Sequence, residues 1–166
     1  MKITVIITLA SLMVVLPSCA YAQENSRKLP ITQEQQKNLT PDAVILSLMA
    51  GNARFAAGKT TQHNITVRIA KSAAGQYPKA VILSCMDSRV PIEKVFDVSI
   101  GDVFVGRVAG NIENRDQLGS MEYATKLSGA KLVMIMGHNE CGAVKGAIDG
   151  AKLGNLHPCW QRFNLL

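Results

Sequence analysis

The chain has 166 residues, of which 48% are hydrophobic and 18% charged, and its net charge is +6 at pH 7. That length suits one domain, and a chain of this size can bury a core without disulfide staples. The basic residues are scattered and form neither a run nor a stripe among aromatic residues, which argues against a nucleic-acid-binding protein.

The first 22 residues are typical of a cleaved export signal. Lys2 gives a short positive start, residues 3–16 are nearly all apolar, and residues 20–22 supply an A-x-A cleavage pattern. The apolar run is shorter than the roughly 20 residues that a membrane-spanning helix needs. We therefore expect a signal peptide over residues 1–22 and a periplasmic or secreted mature protein. Retention as an anchor and lipidation of Cys19 are the alternatives.

Polar residues dominate positions 23–40 and predict a flexible lead-in to the folded domain. A helix is expected from Pro41, because Thr40 offers a cap, proline suits the first helical position and an acid follows. Gly58 marks its end. The segment 60–77 has no clear period and receives no assignment.

Three short apolar runs predict strands that are covered on both faces: residues 80–83, 103–105 and 132–136. Residues 116–128 predict a helix between the second and third run, and another helix is expected after Cys141-Gly142 and through Ile148. Strands that alternate with helices predict an α/β fold, with a mostly parallel β-sheet flanked by helices.

Reactive side chains follow two of these runs. Alternation along an extended segment places Cys85, Asp87 and Arg89 on one side of the chain after the first run. His138 and Cys141 follow the third run, and their separation of three residues lets both reach one ion. Ligand sites in open α/β sheets lie beyond the carboxyl ends of the strands, which is where both segments are expected.

Cys85, His138 and Cys141 form a nitrogen–sulfur donor set that suits zinc better than magnesium or calcium. Three protein ligands leave a fourth position for water, whose pKa zinc can lower to about 7. Asp87 is then expected to accept the proton of the bound hydroxide and to orient its lone pair. Arg89 is expected to hold Asp87 away from the metal. The rival interpretation is a disulfide between the two cysteines, which export would make chemically possible.

The other histidines and the last cysteine lack such a pattern. We treat His157 and Cys159 as incidental, and we expect His63, in the unassigned segment, to be exposed. A glycine loop of the P-loop type is missing from the sequence, so no nucleotide cofactor is expected.

Several segments resemble the β-class carbonic anhydrases. Residues 85–89 are similar to the C-x-D-S-R motif of that family and residues 138–142 to its H-x-x-C-G motif. Residues 101–111 resemble the segment between these motifs, and residues 51–55 resemble the family's G-N-x-R-F helix. The resemblance covers roughly residues 41–156, which we interpret as an incomplete β-carbonic anhydrase-like zinc domain.

The resemblance implies a zinc lyase that converts carbon dioxide reversibly to bicarbonate and a proton. It implies zinc ligation by Cys85, His138 and Cys141 and catalysis by Asp87 with Arg89. In some members the aspartate takes the fourth zinc position in a resting form, and Asp87 is the matching residue. Arg107 is a further candidate for binding the bicarbonate anion. The family usually forms dimers or assemblies of dimers, so a homodimer or higher homo-oligomer is expected.

The resemblance ends near Leu156, whereas family members normally continue with more helices and a further strand. Residues 157–166 predict a tail unlike the family, as a truncation or frameshift would produce. The alternative to an active enzyme is therefore a truncated remnant of the family that binds zinc without catalysis.

Overall fold

A computed structural model describes residues 29–163, apart from the side chain of Arg162. The predicted signal peptide, Cys19, the start of the lead-in and the last three residues of the tail lie outside the described residues. Within the described part of the chain, helices are too short or too polar to cross a membrane.

Three strands, β1 (Ala80–Cys85), β2 (Val103–Val108) and β3 (Leu132–Met136), form a sheet. They are parallel, and their order in the sheet is β2-β1-β3. All positions of the central strand β1 are buried, whereas alternate residues of β3 are exposed. The predicted parallel α/β sheet is confirmed. Burial on both faces was a wrong expectation for β3, because it lies at one edge of the described sheet and packs on one face only.

The helices surround this sheet. They are α1 (Gln33–Lys37), α2 (Pro41–Ala56), α3 (Ile65–Ser72), α4 (Ile92–Val95), α5 (Arg115–Glu122), α6 (Gly142–Ile148) and α7 (Leu156–Trp160). A π-helical turn, Tyr123–Leu127, continues α5, and a 3₁₀ turn, Gln161–Phe163, continues α7. The helices that the sequence predicts after Thr40, between the second and third strands and after Cys141 are all present.

The lead-in differs from its prediction. Thr32 and Gln35 form a capping box that starts α1. Gln36 is buried in this helix and donates hydrogen bonds to the carbonyls of Pro78 and Ser128 at 2.7 and 2.8 Å. The folded unit therefore begins before residue 41, because the side chain of Gln36 anchors this segment. The sequence did not predict this because the segment has too few apolar residues to show a periodic pattern.

The unassigned segment 60–77 contains α3, which Asn64 caps. Its inward-facing residue is Arg68, which is fully buried and forms an ion pair of 2.6 Å with Asp102. A helix whose buried position carries a charge has no apolar stripe, which is why the sequence pattern failed to predict it.

Helix α2 packs closely on the end of α4, and this contact explains the G-N-x-R-F segment. A methyl group built at Gly51 would lie 1.9 Å from the carbonyl oxygen of Phe96, so only glycine allows the approach. Asn52 donates to the carbonyl of Val95 at 3.0 Å, and Arg54 pairs with the buried Asp97 at 2.5 Å. These residues fix α2 against α4 and the turn that follows it.

Apolar residues cover both faces of β1. One face carries the core of Val44, Leu48, Ala80, Ile82, Ile92, Phe96 and Val98, and the other carries Val81, Ala124 and Ala130. Burial of one such aliphatic side chain contributes roughly 1.5–3 kcal/mol. The central strand is therefore held firmly, and so is the residue at its carboxyl end.

Candidate metal centre

The carboxyl end of the sheet brings the two reactive segments together. Cys85 is the last residue of β1, His138 lies two residues beyond β3, and Cys141 is the N-cap of α6. Because the strands are parallel neighbours, their ends meet at one edge. One sulfur or nitrogen atom from each residue lies within 4.8 Å of the other two. The predicted Cys-His-Cys cluster is therefore present in the structure.

The two thiols are separate groups. The Sγ atoms of Cys85 and Cys141 lie 3.8 Å apart, and both cysteines are free, so the rival disulfide is absent from the described structure. Two thiolates that bind one zinc at about 2.3 Å with tetrahedral angles would lie about 3.8 Å apart. The sulfur separation thus fits a shared zinc ion.

The imidazole of His138 presents one nitrogen to this cluster. Its Nδ1 lies 2.8 Å from the carbonyl oxygen of Asn139, to which it donates in the Nδ1-protonated tautomer. Its Nε2 is buried without a hydrogen-bond partner among the described residues. A nitrogen that is desolvated and unpaired beside two thiols is suited to metal ligation, and the backbone hydrogen bond fixes the ring for it.

Ionisation of the cluster also favours a metal. Burial opposes the thiolate of Cys85, but interactions with His138 and with the N–H groups of Gly110 and Asp87 outweigh this and lower its pKa. The same contact with Cys85 raises the pKa of His138. The metal-free pair is thus biased towards thiolate and imidazolium, and a metal ion would replace the imidazolium proton.

Asp87 lies beside the cluster and is held by Arg89. Nε and Nη2 of Arg89 donate to the carboxylate at 2.9 and 2.7 Å, and its backbone N–H donates at 2.9 Å. These bonds hold the pKa of Asp87 well below its usual range. One carboxylate oxygen lies 3.9 Å from Nε2 of His138. Asp87 is therefore ionised next to the cluster, and its oxygens are turned towards Arg89.

Arg107 organises the loop after β1. Its Nε donates to the carbonyl of Cys85 at 3.1 Å, and its Nη2 donates to the carbonyls of Asp87 and Val90 at 2.6 and 3.2 Å. The sequence predicts Arg107 only as a candidate for anion binding and gives no indication of this structural role. Nothing in the local pattern identifies it, because the accepting groups are backbone carbonyls.

The remaining predicted residues lie elsewhere. His157 and Cys159 belong to α7 and are outside the cluster. The expected exposure of His63 was wrong, because both ring nitrogens are buried and lack hydrogen-bond partners within the described structure. Its Nε2 lies 4.0 Å from the Asp97 carboxylate, in a charged cluster that also contains Arg68 and Asp102.

A surface cavity of about 380 Å³ opens against the cluster. Its lining includes His138, Cys141 and Gly142, with the apolar side chains of Val144 and Ile148. This space admits a small molecule next to the donor atoms.

Comparison with protein families gives a match over this part of the chain. The family model described as carbonic anhydrase matches residues 80–162, which is half of the chain. The match runs past Leu156 and includes most of the segment that the sequence analysis interpreted as a tail unlike the family.

Two curated relatives show the extent of the likeness. Carbonic anhydrase 2 of Mycobacterium tuberculosis is 42% identical over 120 residues, which are 72% of this chain and 58% of that protein. A carbonic anhydrase of Emericella nidulans is 38% identical over 95 residues, which are 55% of this chain and 41% of that protein. The chain thus spans less than two thirds of the length of these relatives.

Solved structures agree with this likeness. The β-carbonic anhydrase of the fungal pathogen Aspergillus fumigatus is 30% identical with a TM-score of 0.54, over 73% of this chain and 59% of that one. A tetrameric β-carbonic anhydrase of Sordaria macrospora is 29% identical with a TM-score of 0.52, over 70% and 60% respectively.

Proposed function

We propose, because this chain belongs to the β-carbonic anhydrase family, that it catalyses the zinc-dependent, reversible hydration of carbon dioxide to bicarbonate and a proton. The observation that carries the proposal is the convergence of Cys85, His138 and Cys141 at the carboxyl edge of the sheet. The cluster offers two soft sulfur donors and one imidazole, and these three ligands leave one coordination position of a tetrahedral ion open.

These three residues would hold the zinc ion. Zinc, when bound there, would supply the Lewis acidity that makes water a nucleophile at neutral pH. The Asn139 carbonyl fixes the ring of His138 so that Nε2 faces the thiols. The N–H groups of Gly110 and Asp87 stabilise the Cys85 sulfur as a thiolate.

Asp87 would orient the reacting water and accept its hydrogen bond. Its carboxylate is ionised and held by two donors of one guanidinium, which gives it a fixed direction. Because Arg89 occupies the carboxylate oxygens, it also keeps Asp87 from taking the open ligand position itself. Release of that pair would allow the aspartate-ligated resting form that the family resemblance implies.

The cavity beside the cluster would admit carbon dioxide and release bicarbonate. Val144 and Ile148 give it an apolar wall that suits an uncharged gas. The orientation of this wall towards His138 and Cys141 lets the substrate reach the donor atoms without passing through the protein core.

Assembly and export belong to the same proposal. A homodimer or larger homo-oligomer is supported by the tetrameric relative in Sordaria macrospora. Export to the periplasm or the exterior is supported by the sequence of residues 1–22, with an anchor at Cys19 as the alternative. The mass of the protein recovered from the periplasm would distinguish a cleaved signal peptide from an anchor at Cys19, because cleavage after Ala22 leaves Gln23 as the first residue.

Two cysteine variants distinguish an active carbonic anhydrase from a zinc-binding relative that lacks catalysis. Cys85→Ser should lose both bound zinc and carbon dioxide hydration in a stopped-flow assay, because it removes the buried ligand. Cys159→Ser should keep both, because Cys159 lies outside the cluster. Zinc bound through Cys85 without hydration above the buffer blank would identify the chain as a zinc-binding relative that lacks catalysis.

A further inference from the structure

Two aromatic rings of the C-terminal segment lie on glycines next to the metal centre. A methyl group built at Gly146 would be 2.5 Å from Cη2 and Cζ3 of Trp160. A methyl group built at Gly110 would be 2.4 Å from Cζ of Phe163. Both distances are far shorter than carbon atoms tolerate, so each ring is packed directly against a bare glycine Cα.

Gly110 connects Phe163 to one ligand. Gly110 is buried, has a φ of +90°, and lies two residues beyond Val108, the residue of β2 that is paired with Cys85. An interaction with the N–H of Gly110 also helps to lower the pKa of the Cys85 thiol. The ring of Phe163 covers the face of Gly110 that a side chain would otherwise occupy. Removal of this ring would let the glycine segment move, and with it the end of β2 that is paired with Cys85.

Gly146 connects Trp160 to a second ligand. It lies in α6, which Cys141 caps, and the carbonyl of Cys141 accepts the N–H of Lys145 at 2.9 Å. The indole therefore packs on the turn of helix that is bonded to Cys141. The indole Nε1 is buried without a partner among the described residues, so packing and not a hydrogen bond holds the ring in place.

We propose that Trp160 and Phe163 are positioning residues of the metal centre, which hold Cys141 through Gly146 and Cys85 through Gly110. This inference rests on the proposed function, since it requires that the centre binds zinc. The two rings belong to one short segment, α7 and its 3₁₀ turn, and therefore connect α6 with the loop after β2. The two sulfur donors come from different elements, the end of β1 and the N-cap of α6, and this segment fixes their separation.

The test is the zinc affinity of the full chain, measured by competition with a chromophoric chelator. Loss of a group that supports metal ligands typically lowers metal affinity about 10–100-fold. Trp160→Ala and Phe163→Ala should each weaken zinc binding to this extent. With cobalt in place of zinc, the sulfur-to-metal charge-transfer band should shift or weaken in both variants. A residue that acts only on overall stability would lower the melting temperature and leave this band unchanged.

A pair of glycine variants controls for folding. Gly146→Ala introduces the clash with Trp160 and should weaken zinc binding, whereas Gly119→Ala, where a methyl group meets nothing within 4 Å among the described residues, should not. In the Trp160→Ala background, Gly146→Ala should cause no further loss. The single variants Gly146→Ala and Gly119→Ala keep both aromatic rings, so their comparison remains decisive if Phe163→Ala fails to fold.

The outcomes distinguish this inference from the proposed function. Wild-type protein that binds zinc, with both aromatic variants and Gly146→Ala within about threefold of it, would overturn the positioning role and leave the function intact. Wild-type protein that binds no zinc would overturn both. Weakened zinc binding in the three variants would support the positioning role whether or not the chain hydrates carbon dioxide.

Discussion

The guanidinium of Arg89 joins the carboxylate of Asp87, at 2.9 and 2.7 Å, to the carbonyl of Glu140, at 3.2 Å. Asp87 follows β1 and Glu140 follows β3, so one side chain connects the two segments that carry the Cys-His-Cys cluster. The aspartate is consequently fixed relative to His138 and Cys141 as well as to its own loop.

Asp87→Asn should keep the metal and lose catalysis. The amide has nearly the shape of the carboxylate but is uncharged and pairs less well with Arg89, and misplacement of a reacting group typically costs about 10²-fold in rate. We expect the kcat for carbon dioxide hydration to fall by about that factor at unchanged zinc content. The matched variant Asp149→Asn removes an exposed carboxylate that is paired with Lys145 and should retain the wild-type rate. A kcat for Asp87→Asn within threefold of wild type would exclude the role of the carboxylate.

Arg107→Met should destabilise the fold. It removes three hydrogen bonds from a charged group to the carbonyls of the loop after β1, and such bonds contribute about 1.5–3 kcal/mol. Urea denaturation should show a loss of this size in the free energy of unfolding. Arg115→Met, at an exposed position of α5, should stay within about 0.5 kcal/mol of wild type. Equal stability of the two variants would mean that the carbonyl contacts of Arg107 contribute nothing.

Gly51→Ala should be destabilising even though it lies within a helix. Alanine ordinarily stabilises a helix interior by about 1 kcal/mol relative to glycine. At Gly51 the added methyl group collides with the carbonyl of Phe96, and overpacking of this kind costs typically 1–3 kcal/mol. Thermal unfolding should therefore show a lower midpoint for Gly51→Ala and an unchanged or higher one for Gly119→Ala. A higher midpoint for both would show that α2 and α4 are less closely packed.

His63 should make the stability depend on pH in the mildly acidic range. Burial, with Arg68 nearby, lowers the pKa of His63, although Asp102 and Asp97 oppose this. Below the unfolded-state pKa of about 6.5, the unfolded chain binds a proton that the folded chain does not. As the pH is lowered from about 6.5 towards the folded-state pKa, the free energy of unfolding should therefore decrease, by at most about 1.4 kcal/mol per pH unit.

His63→Gln tests this dependence. The variant removes the titrating group, so its free energy of unfolding should change less than that of wild type between about pH 7 and pH 5. The ion pair of Asp97 with Arg54 remains in both proteins, and it holds the pKa of Asp97 below its usual value, so this carboxylate titrates in a more acidic range. If the free energy of unfolding depends on pH in the same way in wild type and variant, the pKa of His63 is not lowered in the folded state.

The parts of the fold that were predictable carry continuous apolar runs or local motifs. Strand β1 is apolar from Ala80 to Leu83 because both of its faces are covered. Cys85 and His138 were expected at the carboxyl edge of the sheet, and they lie there, at the end of β1 and two residues beyond β3. The helices α1 and α3 were missed because Gln36 and Arg68, their buried residues, are polar. Their partners are more than 30 residues away in the sequence, and no local pattern reveals such pairs.

Part of the site was unpredictable for the same reason. Arg107 acts on backbone carbonyls, which leave no trace in the identity of the accepting residues. Trp160 and Phe163 act on glycines, where the decisive feature is the missing side chain. The sequence therefore identified the donor atoms of the cluster but not the groups that hold them in place.

We propose that Cys85, His138 and Cys141 bind the zinc on which carbon dioxide hydration depends. The most direct measurement is the stopped-flow hydration rate of the purified chain before chelation, after removal of its metal, and after addition of one equivalent of zinc. We expect the wild-type chain to hydrate carbon dioxide at a rate well above the buffer blank, to lose this rate when its metal is removed, and to regain it when zinc is added. In Cys85→Ser the addition of zinc should not restore the rate. A rate indistinguishable from the blank in soluble, zinc-loaded protein would contradict it.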